Sequence, residues 1–209
     1  MPIGRLHVLT DFFFQQRFSH AELAQLAISG GADMVQFRQK TGALRHKLHE
    51  ARRVVDVCAE ADVPLVIDDH LDVSLAVDAA GVHLGQEDFP IREARRLLGP
   101  EALVGATATT VAQALQAQGD GADYIGFGPV FPTGSKANPA STKGLDGLTA
   151  VCEAVALPVI AIAGITPPRV PLVLEAGAHG VAVLSAIALA EQPDRATALF
   201  RQAIEDFLS

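Results

Sequence analysis

Ala32-Asp33-Met34-Val35-Gln36-Phe37-Arg38-Gln39-Lys40 is a short apolar run that turns polar and charged at its right-hand end. The same shape recurs along the chain. Asp68-Asp69 follow Pro-Leu-Val-Ile, and Gly85-Gln86-Glu87-Asp88 follow Gly-Val-His-Leu. Thr107 follows Leu-Val-Gly-Ala, Phe131-Pro132-Thr133-Gly134-Ser135-Lys136 come after Tyr-Ile-Gly-Phe, and Gly164 follows Val-Ile-Ala-Ile-Ala. One end of nearly every strand-like run carries the chemistry. In a barrel of parallel strands those ends converge on one mouth, so residues distant in sequence surround one substrate.

Working outward, short β-type runs alternate eight times with longer helix-type segments, the mark of repeated βα units. Strands are expected at 6–9, 34–38, 65–68, 81–84, 103–106, 124–127, 159–162 and 180–184. Helices are expected at 21–29, 43–60, 73–78, 91–98, 111–117, 145–155, 170–175 and 194–208. Ser19 with Glu22 three residues on forms a capping box for the first helix, and Asp194 stands at the start of the last. Gly-Ala-Asp, Ala-Ala-Gly, Gly-Ala-Asp and Gly-Ala-His precede strands two, four, six and eight, where Gly suits a helix C-terminal turn. Eight units favour an α/β fold of the (βα)8 barrel type over an open doubly wound sheet. Residues 1–209 read as one domain, with an irregular active-site loop at 128–144 expected to act as a lid.

Composition narrows the function classes. The 209 residues are 49% hydrophobic, enough for one sizeable core, and the formal charge of −8 gives no basic footprint for nucleic acid or anionic membranes. Cys58 and Cys152 have no CxxC spacing or paired histidines and read as free thiols. No basic segment leads into an apolar one at the start and no apolar run reaches membrane-span length, so the expected location is the cytoplasm. The expected partners are small molecules, without nucleic acid or membrane; a homo-oligomer is compatible with the sequence but not demanded by it.

Gln36, Arg38 and Lys40 are spaced by two, so in a strand they share one face while Val35 and Phe37 face the helices. They bring cations to the mouth, for an anion or for a structural ion pair on the rim. Asp68-Asp69 and Glu87-Asp88 end adjacent strands. Without imidazole or thiolate companions they suit Mg²⁺, while Asp69 and Asp88 could equally cap the helices that follow. Lys136 lies in a hydroxyl-rich, Gly-containing turn able to wrap phosphate oxygens. Gly164 and Ser185 stand where such barrels bind phosphate on backbone N–H groups, or serve as a turn glycine and a helix cap. The seven scattered histidines, His83 among them, read as surface or core residues.

Val35–Lys40, Ile67-Asp68-Asp69, Gly81–Asp88, Asp123–Thr133, Ala161–Ile165 and Gly180–Ser185 together resemble the thiamine-phosphate synthase family, in order and over nearly the whole chain. The resemblance implies an Mg²⁺-dependent transferase that joins hydroxymethylpyrimidine diphosphate to a thiazole phosphate or its carboxylate, releasing diphosphate by a dissociative route. It implies that Gln36, Arg38, Lys40, Asp68, Thr107 and Lys136 hold the pyrimidine diphosphate, with Arg38, Lys40 and Lys136 neutralising the leaving group. It further implies Asp69 and Asp88 on the metal, and Thr133, Ser135, Gly164, Leu184 and Ser185 on the thiazole phosphate. Asp68 stands where Asn is usual, Thr107 where Ser is usual, and Ala163 where the first Gly of a Gly-Gly-Ile is usual. The alternatives are the related thiazole tautomerase, which needs neither diphosphate nor metal, and a catalytically silent phosphate-binding barrel.

Overall fold

The computed structural model describes residues 2–13, 15–134 and 141–209. Eight parallel strands close into a barrel in sequence order. They are β1 (Leu6–Asp11), β2 (Met34–Arg38), β3 (Leu65–Asp68), β4 (Gly81–Leu84), β5 (Leu103–Ala108), β6 (Tyr124–Phe127), β7 (Val159–Ile162) and β8 (Gly180–Val183). Outside them run α1 (His20–Ser29), α2 (Leu44–Glu60), α3 (Leu71–Val77), α4 (Ile91–Leu98), α5 (Val111–Gly119), α6 (Gly144–Ala154), α7 (Val170–Glu175), α8 (Ser185–Ala188) and α9 (Pro193–Leu208). Closure is made by β8 on β1, where Val8 pairs with Val183, while Val8 also pairs with Val35 of β2. No described helix is long and apolar enough to cross a membrane.

Alternation along each strand sorts the core into two layers. Leu9, Met34, Val66, Leu103, Tyr124, Ile160 and Ala182 fill the barrel interior. Val35 and Phe37 point outward against Ala21 and Ala24 of α1 and Ala51 and Val54 of α2, so Gln36 and Arg38 necessarily point in. Five strands lie at the expected bounds, but β1 and β5 each run two residues further, to Asp11 and Ala108. The end of β1 stays in the sheet because Thr10 and Asp11 are buried and find partners, Thr10 in His20 of α1 and Asp11 in Arg38 at the mouth.

The capping box forms as expected: Ser19 accepts from the Glu22 N–H, and the Glu22 carboxylate accepts from the Ser19 N–H. Gly31, Gly121 and Gly177 turn out of their helices at φ near 95°. The second repeat differs. There Asp78 makes the left-handed turn at φ 55°, and Gly81 is already inside β4, where a Cβ would lie 1.9 Å from the Leu103 carbonyl oxygen. The aspartates of the repeats close the end of the barrel opposite the mouth. Asp33 accepts from the N–H groups of Arg5 (2.8 Å) and Leu6 (2.9 Å) and pairs with Arg201 of α9. Asp123 likewise accepts from the Val104 N–H at 2.7 Å and pairs with Arg95. Two further differences are the short α8 and a 3-10 turn at Pro167–Arg169, neither with enough periodicity to be read from sequence. The expected lid falls partly on residues 135–140, outside the described residues.

Candidate active site

The strand ends meet as the alternation requires. Arg38, at the end of β2, pairs with the buried Asp11 at the end of β1, and its Nε lies 3.6 Å from Asp68 Oδ2. Lys40 Nζ lies 2.8 Å from the same oxygen and also pairs with Asp69. Neither cation is aligned to hydrogen-bond Asp68 Oδ2, which stays buried without a hydrogen bond. Burial pushes the Asp68 carboxyl above its usual range, against the pull of Lys40.

Asp69 takes a left-handed backbone, φ 61°, stabilised by its N–H donating to the His83 carbonyl at 2.9 Å. That turn brings its carboxyl to Asp88. Burial pushes Asp69 up, but the Lys40 ammonium outweighs it and leaves the group low. Asp88 is pushed up by burial and by the hydrogen bond it shares with Asp69. Asp88 Oδ2 also accepts from the Gly85 N–H at 2.7 Å, and a Cβ on Gly85 would sit only 2.7 Å from that oxygen. The capping alternative does not hold: the N-caps of α3 and α4 are His70 and Pro90, neither helix having a side-chain cap. Among the described residues no cluster of three metal-ligating side chains forms, so any ion here would be held by this carboxyl pair and by non-protein oxygens.

Thr107 sits at the end of a polar chain that crosses the barrel. Gln36 hydrogen-bonds the Tyr124 hydroxyl, Tyr124 lies 3.0 Å from His83 Nδ1, and His83 Nε2 lies 2.9 Å from Thr107 Oγ1. Burial drops the His83 pKa to about 4 and pushes the Tyr124 hydroxyl far up, so the ring is neutral and the phenol protonated. A consistent assignment follows: the Gln36 amide donates to Tyr124, Tyr124 O–H to Nδ1, and Nε2–H to Thr107. The Thr107 hydroxyl proton is then free to be donated into the mouth. Gly105 makes room for the chain, since a Cβ there would lie 2.2 Å from Tyr124 Cζ and 2.5 Å from His83 Nδ1. Gln86 Nε2 donates to the Thr107 carbonyl at 2.6 Å.

The opposite side of the mouth is built from β6, β7 and β8. Val130 N–H donates to the Ile162 carbonyl at 3.0 Å and Phe131 N–H to Ala163 at 3.2 Å, which lays the segment leading to Thr133 along the end of β7. Gly164 turns beneath it at φ 66°, and a Cβ there would lie 2.6 Å from the Pro132 carbonyl oxygen. Ala163 holds φ 84° despite its Cβ, a strained residue beside the expected phosphate turn. Arg169 stacks over Phe131, 4.5 Å from the ring centroid, and donates to the Gly164 carbonyl. Leu184 packs against the barrel interior and Ser185 opens α8, so Thr133, Gly164, Leu184 and Ser185 all belong to strand ends β6 to β8. Ser135 and Lys136 lie outside the described residues.

Asp11, His83 and Tyr124 were not among the expected site residues, nor were Lys47 and His70. Lys47 is buried on α2, where burial lowers its pKa, and its Nζ lies 2.7 Å from His70 Nε2. A readable signal for Lys47 is its register. It continues the buried stripe Ala51, Val54 and Cys58 of α2 one turn toward the mouth.

The model of the family described as thiamine monophosphate synthase matches residues 8–187. A thiamine-phosphate synthase of Salinibacter ruber is 65% identical over 206 residues, covering 99% of this chain and 91% of the relative. One from Chloroflexus aurantiacus is 46% identical over 198 residues, covering 95% and 90%. The solved thiamine phosphate pyrophosphorylase of Pyrococcus furiosus superposes with a TM-score of 0.89 at 38% identity, covering 98% of this chain and 97% of that one.

Proposed function

The chain belongs to the thiamine monophosphate synthase family and is a transferase of thiamine biosynthesis, and we propose that its mouth couples hydroxymethylpyrimidine diphosphate to thiazole phosphate or its carboxylate, releasing diphosphate. The observation that carries this reading is the placement of Arg38 and Lys40 against Asp68, Asp69 and the Asp88 carboxyl at adjacent strand ends. That is a clamp for a diphosphate with its counter-ion, for which a tautomerase has no use.

The carboxyl pair fits Mg²⁺ on its own chemistry. Hard oxygen donors, one or two carboxylates and the remaining positions left to phosphate oxygens and water are what that ion takes. The four carboxylates Asp11, Asp68, Asp69 and Asp88 also leave this end of the mouth too negative for a diphosphate without a counter-ion. When bound, Mg²⁺ would supply charge neutralisation to the leaving diphosphate.

The protein's own groups do the rest. Arg38 and Lys40, with Lys136 by resemblance, stabilise the charge that grows on the departing diphosphate as the benzylic carbon–oxygen bond breaks. The electron-rich aminopyrimidine spreads the resulting positive charge. Gln36 and the Thr107 hydroxyl hold the ring, and Thr107 offers its proton to a ring acceptor. Thr133, Ser135, Gly164, Leu184 and Ser185 hold the thiazole phosphate so that its ring nitrogen faces the cation, a proximity effect that requires no general base. The substrates are small charged metabolites of the aqueous interior, and we place the reaction in the cytoplasm.

The deciding assay follows diphosphate release and thiamine phosphate formation from the two substrates, with Mg²⁺ and then with excess chelator. Both products are expected only with the metal. Tautomerisation of the thiazole carboxylate without diphosphate release would select the isomerase instead.

A further inference from the structure

Among the described residues a further cation, Lys47, lies beside the clamp. Lys47 is 5% exposed, yet the hydrogen bonds of its ammonium are to His70 Nε2 at 2.7 Å and the Lys40 carbonyl at 3.5 Å, and among the described residues no carboxylate is ion-paired with it. Asp69, Asp72 and Asp68 reach it only at longer range. Arg38 and Lys40, by contrast, are both paired with aspartates. A buried ammonium without a counter-charge is costly unless an anion completes its surroundings. The space for that anion is present. A cleft of about 670 Å³ is lined by Lys40, Lys47, Asp69, His70, Glu87 and Asp88, so Lys47 faces the same volume as the carboxyl pair.

We propose that Lys47 is a third cation of the diphosphate clamp, held by His70 and the Lys40 carbonyl so that its ammonium binds the diphosphate end of the pyrimidine substrate; this rests on the function proposed above. Its place on α2 explains how it does so. An ammonium has three protons to donate, and the two acceptors named leave one for a phosphate oxygen. With Asp68 adding a carboxylate at the mouth, Lys47 supplies the offsetting positive charge from the helix layer. Lys47 takes no part in holding the thiazole phosphate, which belongs to the far side of the barrel.

The test is calorimetric binding of inorganic diphosphate in the presence of Mg²⁺ to the full chain, its Lys47→Met variant and its Lys47→Arg variant, with folding checked by circular dichroism. Loss of a charge-assisted bond to phosphate corresponds to roughly 10- to 100-fold weaker binding. Lys47→Met is expected to weaken diphosphate binding at least about tenfold with Lys47→Arg restoring most of it, and the KM for thiazole phosphate unchanged. Binding by Lys47→Met within that factor overturns the proposal. So does an equal loss in Lys47→Arg together with a raised thiazole phosphate KM, which would mean that Lys47 only packs the helix. If Lys47→Met does not fold, Lys47→Gln is read by the same criterion. Wild-type protein that binds diphosphate but forms no thiamine phosphate would sink the proposed reaction, while the wild-type to variant ratio would still decide Lys47.

Discussion

At the scale of single residues, His83 carries more of the site than its position in a strand advertises. In the assignment above, its neutral ring, held by Tyr124 on one side, donates to Thr107 and so frees the hydroxyl proton for a partner in the mouth. Thr107→Val should therefore lower kcat/KM by about 10- to 100-fold, the worth of one well-placed hydrogen bond in a dry site. His83→Ala should act in the same direction through Thr107, and the double variant should be little worse than the worse single one. Additive losses in that cycle would mean that the two residues act independently. Asp68 gives a second prediction. Its carboxyl is buried, pushed up, and lies against Arg38 and Lys40, the cations proposed to hold the diphosphate. Asp68→Asn should keep activity within about tenfold and leave the denaturant midpoint equal or higher, since a buried carboxylate costs desolvation that an amide does not. A larger loss of kcat would assign the charge itself to the reaction.

At the scale of elements, the polar-ended strand pattern was legible because a parallel barrel buries its strands on both faces and places function at one end only. Residues 34–40 therefore located β2 together with its inward and outward faces. Asp11 was hidden because Thr10-Asp11 reads as loop: only the folded barrel shows that both buried side chains have partners, His20 and Arg38. His83 was hidden for a related reason, its partners lying 41 and 24 residues away on other strands. Lys47 reads as a solvated helix residue unless its stripe register is weighed. The Gly-Ala-Asp repeats were legible as turns, but their aspartates do a second task. Asp33 ties the first strand's N–H groups to α9, and two backbone N–H bonds and the Arg201 pair depend on it. Asp33→Ala should cost about 2–4 kcal/mol of unfolding free energy while leaving KM for both substrates unchanged, because this end of the barrel is remote from the mouth. Urea denaturation beside steady-state kinetics checks both halves, and a changed KM with intact stability would contradict the division of the barrel into a stabilising and a working end.

For the whole molecule, imidazoles buried in the barrel interior, and one buried between the barrel and α1, have to be neutral. His7, packed edge-on against Tyr124 and accepted by the Gly4 carbonyl, falls to about 4 through burial, and so do His20 beneath Phe37 and His83. Each folded value lies below the ordinary 6.5, so between these limits the unfolded chain binds more protons than the folded one. Stability from this source is complete above about pH 6.5 and declines as pH falls toward 4, by up to a few kcal/mol for each histidine. The low-lying Asp33 works in the same sense at more acid pH, since its folded form resists protonation. The barrel should thus unfold at progressively lower urea as pH drops from 7.5 through 5.5 to 4.5, with unchanged m, because the same surface is exposed each time. His7→Gln should flatten part of that slope: an amide can keep a hydrogen bond to Gly4 but cannot acquire a proton in the unfolded chain. Urea midpoints that stay level from pH 7.5 to 4.5 in the parent would mean that these rings are charged inside the barrel, which would also undo the neutral His83 on which the Thr107 proton assignment depends.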